Sequence, residues 1–351
     1  MRMRIQAGVC YKGKIYFSDW RGFGLFSFDL VTKEVHFCRM FEEVECVWSH
    51  RAAFLYHNEA WFLPQNGTRI TCVNLDTYEI MRFEIPYVQK IEDEVLLLAG
   101  GLVMDDMLFC VPWGIDTLTI INMRTHQLHF YTEFIDPEKE NIFSFGEKDR
   151  KAIFYPYMGE YIRILDPLNG RWEMIKREDH QYEYGEVAIT AKGYLYAPGK
   201  KGELMFGSGA TYAIPCARKW NEYYGHYQKG NEILFFPFDG SDFLKVNIDT
   251  MEWKKLHVCN DEITGVYDIM MRIDSDSGLY LASGESGYVI EIRDDDSMIY
   301  YPIEVKEKEL QKEIAQKTSD SEKKKIFEFN KREIINEDWK YSLEGFLKFI
   351  M

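Results

Sequence analysis

One short phrase recurs along this chain: a pair of apolar residues, an aromatic, and in most copies a proline. It reads Lys14-Ile15-Tyr16-Phe17, then Ala60-Trp61-Phe62-Leu63-Pro64, then Leu108-Phe109-Cys110-Val111-Pro112. Further copies are Ala152-Ile153-Phe154-Tyr155-Pro156, Leu195-Tyr196-Ala197-Pro198, Leu234-Phe235-Phe236-Pro237 and Leu279-Tyr280-Leu281-Ala282. Successive copies lie 39 to 47 residues apart, and five of the ten prolines occupy this one position. Proline has no N–H for a sheet ladder, so it marks a strand end. Self-similarity at such a period is the signature of a repeat architecture.

The residues around each phrase supply the rest of a unit. Glycines follow most copies, among them Gly67, Gly114, Gly159 and Gly240, where tight turns need them. A third strand then ends at an acidic or amide residue, as in Phe28-Asp29, Val73-Asn74, Ile121-Asn122, Leu165-Asp166 and Val246-Asn247. A fourth strand follows, carrying large apolar residues such as Phe37, Phe83, Phe130, Trp172 and Trp253. The fifth copy lacks the acidic turn between Leu204 and Ile214. A first strand precedes each phrase and often starts with small residues: Ala7-Gly8, Ala52-Ala53, Gly100-Gly101, Ser144 and Gly225. Small residues there let backbones crowd together.

Four short strands cannot bury both faces of a sheet alone, but neighbouring sheets packed around an axis can. The expected fold is all-β: a seven-bladed β-propeller of four-stranded blades over residues 1–303, with six or eight blades left open. A β-sandwich would not produce equal units. The small pair Gly100-Gly101, the aromatic after it, and the Trp that follows an Asp turn (Asp166 to Trp172, Asp249 to Trp253) resemble the kelch-type propellers. That resemblance implies the fold over about 300 residues and no specific activity, because the fold hosts binding proteins and enzymes alike.

Residues 304–351 differ in kind. They carry 11 basic and 11 acidic side chains, so the formal charge of −15 lies entirely on residues 1–303. Glu304 to Lys317 reads as a solvated helix. Thr318-Ser319-Asp320-Ser321 reads as a break and a new N-cap. A final helix is expected to pack on the propeller or to dock a partner through Trp339, Leu343, Phe346, Leu347 and Ile350, whose apolar members recur at helical spacing.

The acidic balance argues against nucleic acid, which needs clustered Lys and Arg. The longest apolar run, Val95 to Met104, falls far short of the roughly 20 residues of a membrane helix. The seven cysteines form no CxxC and no zinc spacing, so they read as buried thiols of a cytoplasmic protein. No P-loop, GxGxxG, GxSxG or HExxH occurs, and no metal or cofactor is expected. Asp274-Ser275-Asp276-Ser277-Gly278 reads as a turn rather than a calcium loop.

Candidate ligand-binding residues are those on loops that the repeat brings to one side. Trp20, Trp113 and Tyr157 follow second strands. Trp48, His50, Arg51, Tyr184, Tyr224, His226 and Tyr267 enter first strands. Aromatic faces stack on sugar rings or apolar side chains, and Arg forks carboxylates. The leading expectation is a binding or scaffold protein that holds a protein, peptide or glycan. The alternative is a lyase, epimerase or hydrolase acting on a carbohydrate or small polar metabolite, with His50, Glu186 and His226 as acid–base candidates. A third is a structural subunit assembled through its tail.

Overall fold

The computed structural model describes the chain apart from residues 1, 20–23, 42–49, 66–68, 86–97, 137–139, 178–185, 191, 197–202, 207–210, 214–222, 238–241, 259, 261–262, 264–269, 276–277, 284–285 and 325–351. Strands β1–β4 span Ile5–Tyr11, Lys14–Asp19, Gly24–Asp29 and Val35–Met40. Strands β5–β8 span His50–Tyr56, Glu59–Pro64, Arg69–Asn74 and Ile80–Glu84. Strands β9–β12 span Leu98–Met104, Met107–Pro112, Leu118–Asn122 and Gln127–Tyr131. Strands β13–β16 span Asn141–Lys148, Lys151–Met158, Tyr161–Asp166 and Arg171–Lys176. Strands β17–β20 span Val187–Thr190, Gly193–Tyr196, Glu203–Phe206 and Thr211–Ala213. Strands β21–β24 span Tyr223–Lys229, Glu232–Pro237, Asp242–Asn247 and Trp253–His257. Strands β25–β28 span Met270–Ser275, Leu279–Ser283, Tyr288–Ile292 and Met298–Pro302, and helix α1 spans Glu307–Lys317.

Each group of four forms a meander in sequence order. Five stand as separate four-stranded sheets, and two join as one eight-stranded sheet where β25 lies parallel beside β1. The second-strand phrase therefore falls on β2, β6, β10, β14, β18, β22 and β26, as the repeat predicts.

The turns explain the regularity. Several first-to-second connections are two-residue hairpins whose first residue has positive φ: Lys12, His57, Asp105 and Asp149. Such turns match the twist of the flanking strands. The third-to-fourth turn is built by the acidic or amide residue that the sequence singled out. Asp29 Oδ1 accepts from the N–H groups of Val31 and Thr32. Asn74 does the same for Asp76 and Thr77, Asn122 for Arg124 and Thr125, and Asn247 for Asp249 and Thr250.

The repeat proline does more than end a strand. Pro64, Pro112 and Pro237 are final residues, but Pro156 sits inside β14. Opposite each of the four, the first strand slips register by a bulge: at His50/Ala52, at Leu98/Gly100, at Ile142/Ser144 and at Tyr223/His226. The first repeat carries the same bulge at Ile5/Ala7, opposite Ser18 and Asp19, so the bulge belongs to the repeat and the proline is placed where the ladder is already irregular. Bulges re-aim the side chains beside them.

The described residues divide into two compact units, one of residues 1–84, 272–282 and 287–351, the other of 85–271 and 283–286. The core of the first packs Phe17, Phe26, Phe28, Phe37, Ile273, Val289 and Ile303 with Leu310 and Ile314 of α1. The helix expected to be solvated thus has an apolar side built into the core. Its Glu313 accepts from the Phe37 N–H at 3.1 Å, and its Lys317 donates to the Phe37 carbonyl at 2.5 Å, so α1 occupies the open edge of β4. The expected break follows. Ser319 Oγ accepts from the Glu322 N–H, and Glu322 Oε2 accepts from the Ser319 N–H, a capping box for a further helical turn. Asp274 is not a turn residue: it belongs to β25, and its Oδ2 accepts from the Leu55 N–H at 2.9 Å.

In the second unit, one cluster packs Phe109, Phe134, Phe154 and Leu165, and another packs Ala188, Phe235, Leu244 and Val246. Cys10, Cys38, Cys72 and Cys110 are buried free thiols. Among the described residues no helix is long and apolar enough to cross a membrane.

Candidate functional site

Three successive first strands, β13, β17 and β21, place one polar side chain each into a common buried spot of the second unit. Ser144 follows the β13 bulge and pairs with Tyr155. Glu186 immediately precedes β17, where Val187 pairs with Tyr196. His226 follows the β21 bulge and pairs with Phe235. Relative to the repeat, Ser144 and Glu186 occupy the same position and His226 the next one along.

The contacts are short. Glu186 Oε1 lies 2.9 Å from His226 Nδ1 and 3.2 Å from Ser144 Oγ. Ser144 Oγ in turn accepts from the Val187 N–H at 3.1 Å. With its lone pair engaged by that N–H, the hydroxyl proton is free to point at Glu186. Ser144 and Glu186 are 3% and 5% exposed, while His226 is half-buried. A carboxyl group this deep needs hydrogen-bond partners, and the serine and the imidazole supply them. The carboxylate fixes Nδ1 of His226 as the protonated nitrogen, so in the neutral ring Nε2 carries the lone pair. The ring sits 6.0 Å from that of Phe235, which limits its rotation.

Of the expected site residues, Glu186 and His226 are thus brought together. His50 is elsewhere, in the first unit. It is 5% exposed, and its ring packs on Phe41 and Phe62 at 5.0 and 5.1 Å. Its Nδ1 meets no hydrogen-bond partner among the described residues. Burial pushes its pKa down to about 3, so the ring is neutral. Its backbone N–H donates to Gln6 Oε1, and Gln6 reaches Gln65, both at 3.4 Å. Arg51, next to it at the β5 bulge, is half-buried, and burial lowers its pKa to about 10. Trp113 is half-buried just beyond β10. Tyr157 and Tyr224 lie in β14 and β21, with side chains outside the described set. Trp20, Trp48, Tyr184 and Tyr267 lie outside the described residues, as do Trp339, Leu343, Phe346, Leu347 and Ile350.

Ser144 escaped the sequence reading as a site residue. In the sequence it reads as one of the small residues that start first strands. The signal that marks it is positional: it shares a repeat position with Glu186, so neighbouring strands present the two side chains to each other. Among the described residues no group of three or more His, Cys, Asp or Glu could hold a metal.

No protein-family model matches the chain, and no curated protein sequence matches it. Solved structures do. A streptogramin B lyase superposes with a TM-score of 0.57 at 11% identity, covering 74% of this chain and 84% of that one. A catalytically inactive virginiamycin B lyase from Staphylococcus aureus, solved with quinupristin, gives 0.55 at 12%, covering 72% and 83%. The WD40 domain of Pan2 from Neurospora crassa gives 0.53 at 7%, covering 81% and 87%. At such identities the likeness reaches the fold and stops there. The chain is an all-β protein with a β-propeller fold and a helical C-terminal segment.

Proposed function

We propose that this is a ligand-binding β-propeller, of the degenerate kelch type, whose recognition centre is Ser144–Glu186–His226. The observation that carries the reading is the buried Glu186 carboxylate, held by one neighbouring first strand and itself holding the imidazole of the next. In a β-propeller the first strands surround the central channel, where ligand sites gather. His226 would offer Nε2 as an acceptor to a hydroxyl or amide N–H of a glycan or peptide, with its ring backed by the buried Phe235. The structures it resembles include lyases and a WD40 domain, which supports a propeller that binds and leaves the ligand class to experiment.

A second reading is favoured by one specific feature. A carboxylate on Nδ1 makes Nε2 a base suited to proton transfer, so the same centre would serve an enzyme acting on a carbohydrate or small polar metabolite. One experiment separates the two. The intact chain and His226→Ala are presented to a panel of glycans and peptides, and bound material is recovered and checked for chemical change. Recovery of unchanged ligand, lost in His226→Ala, supports binding. Time-dependent conversion that His226→Ala abolishes supports the enzyme. Equal binding by both chains without conversion sinks the assignment of this centre.

A further inference from the structure

The Glu186 carboxylate is only half used. Its Oε1 takes both short contacts, with Ser144 and with His226, while Oε2 meets no hydrogen-bond partner among the described residues. A carboxylate accepts at both oxygens and donates at neither, so the open oxygen calls for a donor. Charge says which kind. Among the described residues no Lys or Arg pairs with Glu186, whose one ion-pair contact is His226. In the neutral ring, with Nε2 carrying the lone pair, that contact brings a hydrogen bond and no full positive charge. A carboxylate buried among neutral partners is completed by a cation from elsewhere, because buried charges are paired. The surroundings reinforce this. The second unit carries 30 acidic and 19 basic side chains, so −11 of the chain's −15 lies on residues 85–271 and 283–286. Such a unit draws cations toward it and holds anions off.

We propose, resting on the reading of Ser144–Glu186–His226 as a recognition centre, that its ligand is a basic peptide side chain whose ammonium or guanidinium docks on Glu186 Oε2. A metal ion is the poorer occupant. Among the described residues no group of three or more His, Cys, Asp or Glu could hold one, and a bound metal needs several such ligands. A sugar hydroxyl would donate to Oε2 but would bring no counter-charge. An ammonium or guanidinium carries donors only, and its charge-assisted bond to a carboxylate is about twice as strong as one between neutral groups. By occupying Oε1, Ser144 and His226 fix the orientation of the carboxylate and leave the other oxygen for the ligand. The half-buried His226 is the most exposed of the three, so the cation enters past its ring.

The test follows the His226 imidazole signals of the intact chain by NMR during titration with four small probes. These are the Nα-acetyl amides of lysine, arginine and norleucine, and methyl glucoside. Lysine or arginine amide is expected to bind at least about tenfold more tightly than norleucine amide, and the glucoside to leave the signals in place. Lysine and norleucine differ by the ammonium alone, so this comparison needs no altered chain. Glu186→Gln keeps the shape and one acceptor oxygen, and is expected to erase the preference, with circular dichroism confirming the fold. Norleucine amide or the glucoside binding as tightly as the cations overturns the cationic ligand and leaves the recognition centre standing. A preference that survives in Glu186→Gln also overturns it, because the overall charge of the unit would then be its source. Signals that no probe moves overturn the cation and the centre together.

Discussion

A single side-chain oxygen at the end of a third strand holds two backbone N–H groups in Asp29, Asn74, Asn122 and Asn247. At Asp29 the N–H of Thr32, then that of Val31, hold the carboxyl below its ordinary range. Replacing Asn74 by Ala returns two N–H groups to water and is expected to cost about 1 kcal/mol, read as a lower urea midpoint, while Asn74→Asp keeps the acceptor and most of the stability. His50 makes a different prediction. Its pKa falls from 6.5 to about 3 on burial. Between those values the unfolded chain binds a proton that the native one refuses, so stability declines as pH drops through that window. The decline from this residue is at most about 1.4 kcal/mol per pH unit. His50→Phe fills the same aromatic niche without a titrating group and is expected to flatten the slope. Denaturant midpoints at several pH values would show it, and an unaltered slope would mean that the ring is not excluded from water.

Elements are held to one another by a few residues that do two tasks. Ile314 is 1% exposed in the core shared by α1 and the sheets, and Ile314→Ala is expected to cost about 2–5 kcal/mol. Glu313→Ala removes no apolar packing but leaves the buried Phe37 N–H without its acceptor. A smaller loss of about 1–3 kcal/mol is expected, with faster hydrogen exchange concentrated at the Phe37 amide. The second strands were legible because aromatic, aliphatic and proline positions recur together. The asparagine turns were legible because one oxygen with a fixed reach does the same work each time. The first-to-second hairpins were not, because Lys12, His57, Asp105 and Asp149 take up positive φ without a glycine at that residue. There the pairing of the long strands decides the turn, and propensity gives way. Nor was the burial of α1 legible, since its apolar residues are few and its charges many.

In the first unit the chain closes on itself. β1 lies beside β25, Met3 donates to the Ile303 carbonyl at 2.9 Å, and Arg2 bridges to Glu304. Removing residues 1–4 takes Met3 out of the core and exposes Ile303, so a loss of about 2–5 kcal/mol is expected, with protease cuts appearing first near residue 303. The candidate centre obeys a different geometry. In the sequence His226 is marked as a polar residue beside the small Gly225 and Glu186 as a charged residue entering a first strand, whereas Ser144 reads as packing because it is itself small. The other two members of the centre lie 42 and 82 positions away in sequence yet at nearly the same place in successive repeats, since the Ser144–Glu186 and Glu186–His226 contacts span 42 and 40 residues. Chemistry here is written down columns rather than along the line. Growth or loss in an outer hairpin changes the row length and leaves the column aligned. One residue added between the bulge of β13 and Ser144 would turn the hydroxyl to the opposite face. The centre is therefore tolerant of change across most of each repeat and intolerant at the one rung that sets the column, which is bulged in β13 and β21.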